Sequence, residues 1–209
     1  MVMNIYLNGS CIGKVNGPLN KVSFYIQDAV QDEIRGYLIC QNGKWSFIGV
    51  DQYRTLTHKK QCKNMVLLLE SPHKDEFDSN YVPLRPANGR TGTNINKKLS
   101  SRPFTTNLDV NFDYQVLIMN PIQLQCSCYH QFRQNGAAGS SRTTNKVFRC
   151  LFNSNKGNLR ENFIQRLKQY QADYVLNCST CGTKSVVETA IKKALGCNSN
   201  YKDTHPSFW

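Results

Sequence analysis

The stretch Met65-Val66-Leu67-Leu68-Leu69-Glu70-Ser71-Pro72-His73 decides the fold. Its five unbroken apolar residues lack both the alternation of a strand with one wet face and the period of an amphipathic helix. They read as a short strand buried on both sides, and polar residues begin abruptly at Glu70. Residues 114–119 repeat the pattern and end on Asn120-Pro121; residues 172–176 repeat it and end on Asn177-Cys178-Ser179. Three such runs predict parallel core strands. Helices are predicted over residues 94–100, 142–152, 158–170 and 184–195, the last with Val187, Ala190, Ile191 and Ala194 at helical spacing. Strands alternating with helices predict an α/β protein, a three-layer α/β/α sandwich around a central, mostly parallel sheet. Ligands of such sheets bind beyond the carboxyl ends of the strands, so the polar residues after each run are the candidates for chemistry.

Residues 1–60 differ. Short strands are predicted over 4–8, 22–27, 35–41 and 44–50, with Asn42-Gly43 as a two-residue hairpin turn. The expected organisation is a β-rich extension over 1–60 and a catalytic domain over 61–209. Residues 131–144, rich in small and polar side chains, read as a mobile surface loop.

Of the 209 residues, 26 are Lys or Arg and 14 are Asp or Glu, a net charge of +12. Such an excess attracts polyanions, and nucleic acid is the expected partner. No stretch approaches the roughly 20 apolar residues of a membrane span, and the N-terminus lacks a basic region followed by an apolar run. The expectation is a cytoplasmic monomer that does not engage a membrane. Nine cysteines with irregular spacing predict reduced thiols rather than a disulfide framework.

Four segments carry a resemblance. Leu69-Glu70-Ser71-Pro72-His73 resembles the first motif, Gly-Glu-Ala-Pro-Gly, of one branch of the uracil-DNA glycosylase superfamily. Pro86-Ala87-Asn88-Gly89-Arg90-Thr91-Gly92 is similar to that branch's Pro-Phe-Val-Gly-Arg-Ala-Gly. Asn120 looks like its strand-end, base-reading asparagine, and His205-Pro206-Ser207 looks like its His-Pro-Ser motif. The resemblance spans residues 65–209 and implies a DNA glycosylase that flips a pyrimidine out of the helix, cuts its N-glycosidic bond and leaves an abasic site.

That reaction puts positive charge on the sugar and negative charge on the departing base, which asks for a carboxylate near one and a donor near the other. Glu70 and His205 are the catalytic candidates. Asn120, with one donor and one acceptor, suits a flipped base, with Ser71 and His73 beside it. Gly89, Arg90, Gly92, Ser179 and Ser207 are candidates for holding the DNA backbone. The branch stacks a phenylalanine on uracil where this chain has Ala87, so Ala87 predicts room for an enlarged, modified pyrimidine such as occurs in phage DNA, with Tyr81 or Phe77 as substitute ring. An enzyme of anti-phage defence follows from that extension.

Many members of the branch hold an iron–sulfur cluster, but Cys11, Cys40 and Cys62 lack the expected close pair. Cys126, Cys128, Cys178 and Cys181 follow core strands at a spacing that is no recognised zinc finger, so no cofactor is expected. Two alternatives stand beside the glycosylase: a binding module of the same fold without chemistry, and a nuclease with Glu70, Asp75 and Glu76 around magnesium. Asp75 and Glu76 otherwise read as solvated loop carboxylates.

Overall fold

The computed structural model describes residues 1–17, 19–126 and 141–209. It opens with a three-stranded sheet in which β1 (Val2–Leu7) lies between β2 (Ser10–Asn16), antiparallel, and β3 (Lys21–Phe24), parallel. β1 buries Met3, Ile5 and Leu7 in the alternation expected of a strand with one wet face. β2 went unpredicted because its Ser-Cys-Ile-Gly-Lys-Val-Asn has no fully buried position and is held by its ladder to β1.

The remaining elements are β4 (Glu33–Gln41), β5 (Lys44–Ile48), α1 (Val50–Arg54), β6 (Cys62–Leu68), α2 (Arg90–Lys98), β7 (Asp113–Met119), α3 (Ser141–Asn153), α4 (Leu159–Gln169), β8 (Tyr174–Asn177), α5 (Cys181–Leu195) and β9 (Tyr201–Lys202). Six strands form one sheet in the order β5-β4-β7-β6-β8-β9. β7, β6, β8 and β9 run parallel, so the three apolar runs are adjacent parallel strands, as expected. β4 and β5 make the predicted hairpin at Asn42-Gly43, and β4 pairs antiparallel with β7. The stretch before residue 60 is therefore divided: β1 to β3 form their own sheet, while β4 and β5 complete the edge of the large one.

Alternation along the parallel strands sends side chains to two cores, and the protein is of mixed α/β class. Val66, Leu68, Leu117, Met119 and Val175 pack with Phe148 and Phe152 of α3, Phe163 and Leu167 of α4 and Ile191 of α5, and the same cluster takes in Met3, Ile5 and Leu7. Met65, Leu67, Val116, Ile118 and Leu176 pack with Leu38, Ile95, Leu99, Phe104 and Trp209. Each such side chain contributes about 1.5–3 kcal/mol by leaving water, which is why strands without a polar face hold the middle of the sheet.

α2 begins at Arg90, four residues earlier than predicted, because Gly89 serves as its N-cap. Of the expected loop at 131–144, residues 131–140 lie outside the described residues; residues 141–144 belong to α3, in agreement with the helix predicted from 142, and buried Thr144 stands one turn before Val147 and Phe148. Among the described residues, no helix is long and apolar enough to cross a membrane.

Candidate active site

β6 has its sequence successor β7 on one side and β8 on the other, so the chain's direction of winding reverses at β6. At such a point the segments leaving neighbouring strands part and open a crevice. A cleft of about 770 Å³ lies there, lined by Glu70, Ser71, His73, Asp75 and Glu76 after β6, Arg90 and Thr91 of α2, Thr144 and Asn145 of α3, Thr180 to Gly182 at the start of α5, and His205, Ser207 and Phe208.

Glu70 is 1% exposed, and its Oε2 accepts from the Thr180 backbone N–H at 3.2 Å. Thr180 is the N-cap of the 15-residue α5, so the helix's positive end faces this carboxylate. The helix fits closely: a Cβ on Gly182 would lie 1.8 Å from Asn145 Nδ2, so glycine here leaves room for the Asn145 side chain at the cleft wall.

His205 is carried by a pinned loop. Arg102 donates to both oxygens of buried Asp203, at 2.9 and 2.6 Å, and Lys184 donates to the Asp203 carbonyl at 2.6 Å. Asn94 Nδ2 donates to the Pro206 carbonyl at 2.8 Å, and Trp209 Nε1 to the Thr204 carbonyl at 3.0 Å. The His205 Nδ1 accepts from the Ser207 backbone N–H at 3.3 Å. Burial, and after it the electrostatic effect of His73 and Lys184, lowers the pKa of His205 to about 4. At neutral pH the ring is therefore uncharged, and with Nδ1 accepting, its proton sits on Nε2 as a donor.

Glu76 corrects an expectation. It is 2% exposed rather than solvated, and burial raises its pKa to about 8 against the opposing effect of donors from the His73 and Ala87 backbone and the Asn120 amide. Asn120 does not line the cleft; it stands behind Glu76, its Nδ2 at 3.5 Å from Glu76 Oε2 and its Oδ1 buried without a hydrogen-bond partner. Asp75 is exposed, with Oδ2 3.2 Å from His73 Nδ1.

Of the residues singled out from sequence, Glu70, Ser71, His73, Arg90, His205 and Ser207 share the cleft. Others stand elsewhere. Ala87 is fully buried in the second core and so neither touches a base nor leaves room for one. Tyr81 lines a separate small pocket with Tyr25 and Phe77. Ser179 is fully buried and donates to Asn177 Oδ1 at 2.6 Å. Gly92 faces inward: a Cβ there would lie 1.9 Å from the Ala87 carbonyl oxygen, so its smallness serves helix packing rather than a ligand. Gly89 caps α2 beside Asp75 and does not line the cleft. Thr180 and Gly182 lie just past Ser179, where the polar run after the third strand was read, Cys181 was considered only as a metal ligand, and Thr144 and Asn145 fall in the predicted helix over 142–152 with no motif to mark them.

Among the described residues, no three His, Cys, Asp or Glu side chains are grouped to hold a metal. Cys126 and Cys178 are buried, Cys181 is exposed at the cleft, and Cys128 lies outside the described residues. Cys11 stands on β2 of the small sheet, Cys40 in β4 and Cys62 at the start of β6 of the large one. Comparison with known protein families, with curated proteins and with solved structures finds no match for this chain.

Proposed function

We propose that this protein is a DNA glycosylase of uracil-DNA-glycosylase type, built as a three-layer sandwich around its parallel strands, which hydrolyses the N-glycosidic bond of a flipped pyrimidine. The observation that carries this is the meeting of Glu70 and His205, 135 positions apart in the chain, on one cleft. As the bond between C1′ and the base nitrogen breaks, its electron pair leaves with the base and the sugar becomes oxocarbenium-like. Glu70 stabilises that cation and orients the water that adds at C1′, and the proton that water gives up ends on the departed base, so that neutral base is released. The Nε2–H of neutral His205 donates to the departing base, and a neutral imidazole suits this task because its donor needs no proton from solution. Arg90 and the amino end of α5 receive phosphate. A volume of about 770 Å³ lies within the range of about 300–1,000 Å³ for small-molecule sites and has space for a flipped nucleotide; the proposal extends to an enlarged base of the kind phage DNA carries, and with it to a role in defence.

The test is incubation with DNA duplexes carrying uracil, hydroxymethylcytosine or glucosylated cytosine, in EDTA, with mass spectrometry of released base. Free base and alkali-labile strands are expected, and Glu70→Gln and His205→Ala should each slow release by about 10²–10³-fold. Strand cutting that requires added divalent metal would point to a nuclease, and DNA binding without either product to a module that has no chemistry.

A further inference from the structure

A second concavity, of about 530 Å³, runs between the small sheet and α3, lined by Val2, Lys14, Val15, Asn16, Lys146 and Arg149. Three of these six are cations, all exposed, and among the described residues none of the three pairs with a carboxylate. Lysines and arginines left without acidic partners in a concave site favour an anionic ligand, and their spread along a groove favours a chain of charges over a single ion.

The groove and the cleft are separate concavities that share α3 as a wall. Asn145 lines the cleft and Arg149, one turn later, lines the groove, a separation of about 6 Å along the helix axis. That is about two steps of a DNA strand at 3.4 Å each. Arg149 also donates through Nε and Nη2 to the carbonyl of Gly182, at 3.2 and 2.7 Å, and Gly182 is itself a wall of the cleft. The small sheet is fixed against this helix: a Cβ on Gly13 would lie 2.3 Å from Cys150 Sγ, and Thr143 Oγ1 donates to the Asn16 carbonyl at 3.5 Å.

We propose that the groove bounded by Lys14 on β2 and by Lys146 and Arg149 on α3 carries the phosphate backbone of DNA toward the cleft, making the N-terminal sheet part of the DNA-binding surface. The proposal rests on the glycosylase reading for its ligand, and its test separates the two.

Binding of a labelled DNA duplex of about 20 base pairs is measured by anisotropy across a salt series, for the wild type, Lys14→Gln/Lys146→Gln and Lys44→Gln/Lys59→Gln. The last pair removes the same charge at the opposite end of the large sheet, since Lys44 follows the β4–β5 turn and Lys59 precedes β6. Each lost phosphate contact flattens the logarithmic salt dependence by about 0.9. The groove variant should therefore show a slope shallower by about 2 and binding weaker by on the order of 60-fold at 0.1 M salt, with the control unchanged. Equal loss in both double variants, or no loss in the groove variant, overturns the proposal, as does a wild type that does not bind. Selective loss in the groove variant with no base release from any DNA leaves the groove standing and the glycosylase reading refuted. Base release with a groove variant that binds like wild type has the reverse meaning.

Discussion

Glu76→Gln isolates the energetics of one buried acid. With its pKa at about 8 in the folded chain and an ordinary value of 4.5 when unfolded, Glu76 holds its proton more tightly in the native state. Below pH 4.5 both states carry the proton and the full stability is present; above it the unfolded chain ionises first, and stability is lost as pH rises through about 8. The linkage amounts to roughly 3 kcal/mol lost by pH 7 and roughly 5 kcal/mol above pH 9. Glutamine has nearly the same shape and no proton to lose, so Glu76→Gln should match wild type at pH 4 and exceed it by about 3 kcal/mol at pH 7. For a chain of this size that is a rise in Tm of about 6–12 °C. Urea denaturation at half-unit steps between pH 4 and 9, with the wild type and variant compared at each step, reads the difference directly and cancels every other titrating group. Parallel profiles would refute the reasoning and show that the His73, Ala87 and Asn120 donors hold Glu76 as an ionised carboxylate.

Two further outcomes follow from the geometry. The His205 imidazole should remain neutral at pH 5.5 and reach half-protonation only near pH 4, as followed by its ring NMR signals assigned by their loss in His205→Ala; a midpoint near 6.5 would contradict its burial. Gly92→Ala forces a methyl against the Ala87 carbonyl and the Arg35 guanidinium, at 1.9 and 2.6 Å before relaxation, and should destabilise by roughly 1–3 kcal/mol in urea denaturation, whereas a neutral effect would mean that the start of α2 is free to shift.

The parts of the fold legible in the sequence are those where one signal dominates. Residues 65–69, 116–119 and 174–176 are apolar on both faces, and that marks them as interior strands, although Gln115 and Asp173 interrupt the longer ranges expected from sequence and β8 begins only at Tyr174. β9 has two residues, one half-buried and one exposed, and exists through its parallel pairing with β8, which no local pattern encodes. The hairpin of β4 and β5 was readable from Asn42-Gly43, but its docking on β7 depends on a distant partner. At the site, Glu70 and His205 stood out because a strand end and a His-Pro-Ser segment mark them. Ala87 and Gly92 misled because smallness serves close packing as well as it serves a ligand. The Lys74-Asp75-Glu76 run looks uniformly solvated, yet the short 3₁₀ turn there sends Glu76 inward and leaves its neighbours outside.

The pairing of β4 with β7 also bears on how the chain is made. Leu38 lies opposite Tyr114 and Glu33 opposite Ile118, so these partners are separated by roughly 80 residues of synthesis. At about 5–20 residues per second a ribosome needs about 4–16 s to supply the second strand after the first. Throughout that interval the nascent hairpin has an open edge on β4, and the small N-terminal sheet lacks the helix α3 that covers it. Both are early structures waiting for late ones, which makes the middle of translation, from the completion of β5 at Ile48 to that of α3 at Asn153, the period when this protein is most exposed to misassociation.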